Sequence, residues 1–145
     1  MTGSLHILRT AYQIGSMQEL SEVQAHFRMQ QHNGRDVVMA TTRRKPQREA
    51  ELLDGGSIYW IIKNQIQARQ KILDIDMVEE DADSKHCRIF LDPKIIRVTP
   101  KRKRAVQGWR YLQGFDVPKD IGPYYPTDDD LPEDLAKEIR DLGVI

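Results

Sequence analysis

With 145 residues, 39% of them hydrophobic and 30% charged, the chain holds enough apolar material for one domain with a packed core, without metal or disulfide staples. Its single cysteine, Cys87, excludes a disulfide framework and a multi-cysteine zinc site, and favours a reducing, cytoplasmic setting. The net charge of zero conceals a split: residues 1–34 carry two cations and two anions, residues 35–110 carry 17 and 11, and residues 111–145 carry three and nine. Either this is ordinary surface charge, or a basic face meets an acidic tail that covers it or competes for its ligand.

LHILRTAY at 5–12 reads as a first strand. The N-terminal stretch that contains it reads as carrying no export signal, and nowhere do about 18 apolar residues run together as a membrane span needs. Ser16 with Glu19 three residues later is a capping box, and Leu20, Val23 and Phe27 follow at helical spacing, predicting a helix from Met17 to Gln31 that Gly34 stops. After the NGRD turn, Val37 to Thr42 predicts a strand. Pro46 suits the first turn of a short helix that ends at Asp54-Gly55-Gly56. SIYWIIK (57–63), QIQARQKILDIDMV (65–78) and CRIFLD (87–92) read as strands, with Asn64 in the turn between the first two and the acidic 79–86 as a loop. Asp92-Pro93 turns the chain into KIIRVTP, which ends at Pro100. The stretch 114–132, with four prolines and three consecutive aspartates, has too little apolar material for an element of its own. Leu135, Ile139 and Leu142 then share one face of a closing helix that Asp130 can cap.

This order predicts an α+β domain: a small mixed β-barrel with early inserted helices over 1–112, then a proline-rich acidic arm and C-terminal helix, 113–145, packed on the same domain. ELLDGGSIYWIIKNQIQARQKILDI, RIFLDPKIIRVTP and QGWRYL resemble the signature of an uncharacterised bacterial family, a domain of unknown function, over nearly the whole chain. More distantly, the meeting of LHILRTAY with SMQEL, the glycine-marked entry into a strand, and the basic segment after it are similar in order to PUA-like domains such as ASCH and EVE. That resemblance implies a barrel whose side cleft takes RNA or a modified nucleobase. It also implies, as an alternative, an amidohydrolase of acetylated nucleosides using Thr, Lys and Glu; Thr41 or Thr42, Lys63, and Glu49 or Glu51 are candidates by residue type.

Three constellations are candidate binding groups. Lys101, Arg102, Lys103 and Arg104 cannot be buried without a large desolvation cost, so they face water or a polyanion. Trp109 and Tyr111 share one face of a strand and either stack on bases or fill the core, while Arg110 faces the other way. TTRRKPQR places Arg43, Arg44, Lys45 and Arg48 before a helix N-terminus, where free N–H groups and forked cations suit a phosphate, or else form a basic linker. Trp60, Lys63, Gln67 and Arg69 put hydrogen-bonding groups among apolar strand residues, reading a base edge or facing solvent. The four histidines lie too far apart for a metal motif, His86 and Cys87 point oppositely in a strand, and no nucleotide-binding glycine loop occurs, so neither metal nor cofactor is expected. The resulting expectation is an RNA- or modified-nucleotide-binding module without a membrane role, with an adaptor that binds a protein through the acidic arm as a further alternative.

Overall fold

In chain order the computed structural model, which describes residues 5–79 and 85–125, contains β1 (Leu5–Thr10), α1 (Met17–Val23), a π-helical turn (Gln24–Arg28), β2 (Met29–His32), β3 (Arg35–Thr42) and α2 (Glu49–Leu53). There follow β4 (Ser57–Ile62), β5 (Gln65–Glu79), β6 (Lys85–Leu91), β7 (Ile96–Arg102), β8 (Trp109–Gln113), a 3-10 turn (Gly114–Asp116) and β9 (Asp120–Pro123). The described residues are mostly strand with two short helices, an α+β arrangement. The helix expected around Leu135 and the aspartate run before it lie outside the described residues. No described helix is long and apolar enough to cross a membrane.

The strands run β2-β3-β6-β5-β4-β1-β8, with β7 on β5 and β9 on β7. All ladders are antiparallel except β1 with β4. The expected closed barrel is not formed; the sheet is open. The reason lies in β5. Its first half pairs with β4 and β7, and its second half pairs with β6 beyond a register shift between Ile72 and Asp74. Before that bulge the even-numbered residues Ile66, Ala68, Gln70 and Ile72 are buried; after it the buried residue is Ile75. One extra residue, Leu73, therefore turns the inward face over and bends the strand from one leaf of the sheet into the other. The two leaves share one core, in which Ile58, Trp60 and Ile62 of β4 meet Val38 and Ala40 of β3 and Ile89 and Leu91 of β6.

SIYWII has no polar alternation because β4 is buried at every position. Its odd residues Tyr59 and Ile61 pack in a second, smaller core with Leu8, Ile66, Val98 and Leu112. Burial pushes the Tyr59 phenol up to about 12.

The helix expected to reach Gln31 stops at Val23, although Ser16 caps it as expected, its Oγ accepting the Glu19 N–H at 3.1 Å. Asn33 and Gly34 both take positive φ, 51° and 81°, the mirror-image turn that joins a tight hairpin. Met29 to His32 are consequently pulled out of the helix to pair with β3. Gly34 turns a hairpin rather than stopping a helix, and Phe27, expected on the apolar face, is exposed. The proline-rich stretch also contains an element that apolar content did not announce. β9 is held by backbone pairing to β7, by the Tyr124 N–H donated to the Ile95 carbonyl at 2.8 Å and by burial of Tyr124.

Gly56 follows α2, where a Cβ would fall on the carbonyl oxygens of Leu52 and Leu5, the latter at 2.7 Å. Both atoms are backbone and cannot swing away. Gly56→Ala is expected to lower the unfolding free energy by about 2–3 kcal/mol, read as a drop in the urea midpoint at unchanged slope.

Candidate functional site

Arg9 is the one charge in the first strand, near its C-terminal end, and the topology places that end between α1 with its π turn and β3. A cavity of about 180 Å³ opens there, lined by Thr10, Ala11 and Tyr12 after β1, by Leu20, Gln24 and Arg28, and by Val38 to Thr41. Trp60 lines it from below. Its ring is nearly buried, and its Nε1 donates to Gln70 Oε1 at 2.9 Å. Gln70 and Gln24 are both buried and exchange amide hydrogen bonds of 2.7 and 2.9 Å, so Gln24 reaches the cavity wall already anchored.

Arg9 and Arg28 line this cavity together. Burial, and then the like charge of Arg28, pull the Arg9 guanidinium below its ordinary value. Arg9 and Thr41 also line a wider groove of about 730 Å³, which adds Arg43, Arg44, Gln107, Trp109 and Arg110, so the two hollows adjoin at these residues. Among the described residues no carboxylate lines either one. Arg110 donates to the carbonyls of Gln107 and Trp109 at 2.8 and 2.9 Å and pairs with no carboxylate among the described residues. Arg44 lies over the Trp109 ring, 4.9 Å from its centroid, and its carbonyl accepts the indole N–H at 3.1 Å. Trp109, 5% exposed and edge-on to Tyr111, is thus a wall covered by an arginine rather than an open stacking platform.

The expected phosphate site at a helix N-terminus does not assemble. α2 is five residues long, Lys45 pairs with Glu49 at 2.9 Å, and Arg48 makes a forked pair with Glu51. These carboxylates raise the Lys45 and Arg48 values, and Arg48 lowers that of Glu51 in return. Only Arg43 and Arg44 of that run face the groove. Lys63 sits at the β4–β5 turn with φ 51° and lines none of these hollows. Arg69 lies in a separate hollow beside β9, forked onto Asp120 with both contacts at 2.7 Å. Gln67 donates to the Ile62 carbonyl at 2.7 Å. Lys101 and Arg102 end β7 and, with Lys103 and Arg104, are exposed but line neither cavity. The loop that carries the run does dock beside the site: the Val106 N–H donates to Thr10 Oγ1 at 2.8 Å, and its carbonyl accepts the Tyr12 hydroxyl at 2.6 Å.

Of the candidates for hydrolysis, Thr41 and Thr42 line the groove, whereas Lys63, Glu49 and Glu51 line neither hollow. Among the described residues no three His, Cys, Asp or Glu side chains gather as a metal site requires. Cys87 is buried behind His86, and burial pushes its thiol up to about 11. The residues that sequence reasoning missed are Arg9, Arg28 and Gln24. Arg9 had a signal, as a lone charge inside an apolar strand; Arg28 and Gln24 were masked by the over-long helix.

Residues 7–145 match the family described as protein of unknown function DUF1489, and the chain belongs to it. No curated protein and no solved structure matches the chain. The wider likeness to PUA-like domains therefore does not enter through these comparisons.

Gln70→Leu removes the partner of the Trp60 indole, of the Gln24 amide and of the Asp92 carbonyl at once. A loss of about 3 kcal/mol in unfolding free energy is expected from the stranded groups, measured by urea denaturation. For Cys87, reaction of the folded protein with a disulfide reagent is expected to be negligible at pH 8. The rate should rise through about pH 11, whereas the unfolded chain reacts at pH 8 at once.

Proposed function

We propose that the cleft formed by these two hollows binds a phosphate-bearing nucleic-acid ligand, RNA or a modified nucleotide. The observation that carries this reading is that Arg9, Arg28, Arg43, Arg44 and Arg110 line it with no carboxylate of the described residues among them. Guanidinium forks match phosphate oxygens, and each phosphate contact releases counterions. The kinship with PUA-like domains belongs to this proposal. In those domains a ligand cleft lies beside the strand that opens the barrel, and here the cleft lies at the end of β1; the open sheet is the departure. A cytoplasmic setting suits both a nucleic-acid ligand and a free thiol at Cys87.

The test is titration of the protein into labelled mixed-sequence RNA, followed by fluorescence anisotropy at low and moderate salt. Binding should weaken steeply as salt rises. Arg43→Gln with Arg44→Gln should lower affinity by about tenfold and flatten the salt slope by roughly one to two. Lys45→Gln with Arg48→Gln, which removes cations already paired, should change affinity by less than about threefold. Replacing residues 101–104 by Gln should leave Tm unchanged and lower affinity less than the Arg43 and Arg44 pair. Absence of binding at low salt, or equal losses for the paired and unpaired cations, would overturn the assignment.

A further inference from the structure

A primary amide has two N–H bonds and two acceptor lone pairs to place. For Gln70, which is fully buried, all four are used. Its Oε1 accepts from Trp60 Nε1 at 2.9 Å and from Gln24 Nε2 at 2.7 Å; its Nε2 donates to Gln24 Oε1 at 2.9 Å and to the Asp92 carbonyl at 3.1 Å. The indole N–H can only donate and the carbonyl can only accept, so the Gln70 amide has one orientation. That orientation dictates the orientation of Gln24 in turn. One N–H and one lone pair of Gln24, on opposite edges of its amide, are left over from this exchange. Gln24 is 6% exposed and is the cavity-lining residue with an amide side chain. It also occupies the first position of the π-helical turn, a local widening of the helix that recurs at functional sites.

We infer that Gln24 hydrogen-bonds a nucleobase held against Trp60 in the 180 Å³ cavity, with Arg9 and Arg28 taking the attached phosphate. This rests on the cleft being a nucleotide site and adds to it a reader of the base. Arginines alone grip any phosphate equally, whereas an amide that cannot flip offers a donor at one place and an acceptor at another. A base with the matching group is accepted; one that presents like against like leaves a buried group unpaired. The base-edge role expected for Gln67 thereby passes to Gln24, since Gln67 serves the Ile62 carbonyl.

The four nucleoside monophosphates and ribose 5-phosphate are titrated into the full-length protein and into Gln24→Leu. The wild type should prefer one or two of the nucleotides by about fivefold or more, the worth of one neutral hydrogen bond. Gln24→Leu should bring all four within about twofold while binding ribose 5-phosphate as the wild type does. In the wild type alone, the Gln24 side-chain amide signal in a nitrogen–proton correlation spectrum should move on adding the preferred nucleotide and stay still with inorganic phosphate. This second readout decides the matter even where the leucine variant does not fold. Equal affinity of the wild type for all four, a preference that survives Gln24→Leu, or an unmoved Gln24 signal would overturn the inference, while nucleotide binding itself leaves the cleft assignment standing. Failure of every nucleotide and of ribose 5-phosphate to bind would overturn both.

Discussion

Gln70 stands near the end of the first half of β5, just before the strand crosses from one leaf of the sheet to the other, and its amide ties together four pieces of chain. Trp60 belongs to β4, Gln24 to the π turn, and Asp92 to the bend between β6 and β7. A buried amide left unsatisfied costs more than a satisfied one contributes, so the group tolerates only one relative placement of these elements. Moving α1 outward would strand Gln24; moving the β6–β7 bend would strand the Asp92 carbonyl. Apart from His6, whose Nδ1 accepts the Ser57 N–H, the rest of the core is apolar and is less demanding in orientation than this amide. The cavity wall is therefore set by a polar contact in a largely apolar interior.

Geometry downstream of that point follows from chain connectivity. β6 and β7 lie in succession along β5, with Asp92 N bonded to the Lys71 carbonyl at 2.9 Å and Ile96 opposite Arg69. The leaf that contains β3 is thereby swung across the leaf that contains β1. Where the two diverge, the end of β1 and the strand β3 cannot pair, and the space between them is the cleft. The same divergence keeps the barrel open. The bulge at Leu73 is one of several irregularities in the sheet, with others at Trp60/Ile61, Ile66/Ala68 and Arg97/Val98.

The sequence was most informative where a single physical term dominated. β4 was legible as a strand because SIYWII is a short run rich in β-branched and aromatic residues, though its burial on both faces was not, and β5 because its alternation persists over many residues. The Ser16 cap was legible because its chemistry is local. The hairpin of β2 and β3 was lost to a competing pattern: helical spacing of Leu20, Val23 and Phe27 outweighed Asn33-Gly34, although the two-residue turn is the stronger signal when a strand waits on its far side. β9 has no side-chain signature, because an edge strand that borrows its hydrogen bonds from β7 needs none. For the site, cationic residue types identified Arg43, Arg44 and Arg110, but composition could not separate free cations from paired ones. Lys45 and Arg48 look the same in sequence as Arg43 and Arg44; only the spacing of Glu49 and Glu51 distinguishes them, at i+4 and i+3 on a helix that was itself expected.

That distinction carries the electrostatic argument to its end. Several cations outside the cleft meet anions: Arg88 forks onto Asp76 at 2.8 and 2.7 Å, Arg69 onto Asp120, and Arg35 approaches Asp92 at 3.5 Å. Exposed pairs of this kind contribute about 0–1 kcal/mol each, so their role is less to hold the fold than to cancel charge locally. Arg9 breaks the pattern, because it is half-buried and faces the like charge of the exposed Arg28, which raises the free energy of the folded chain. On the proposed reading, a bound phosphate would relieve that repulsion and stabilise the folded state by mass action, so that binding and folding would be linked through Arg9.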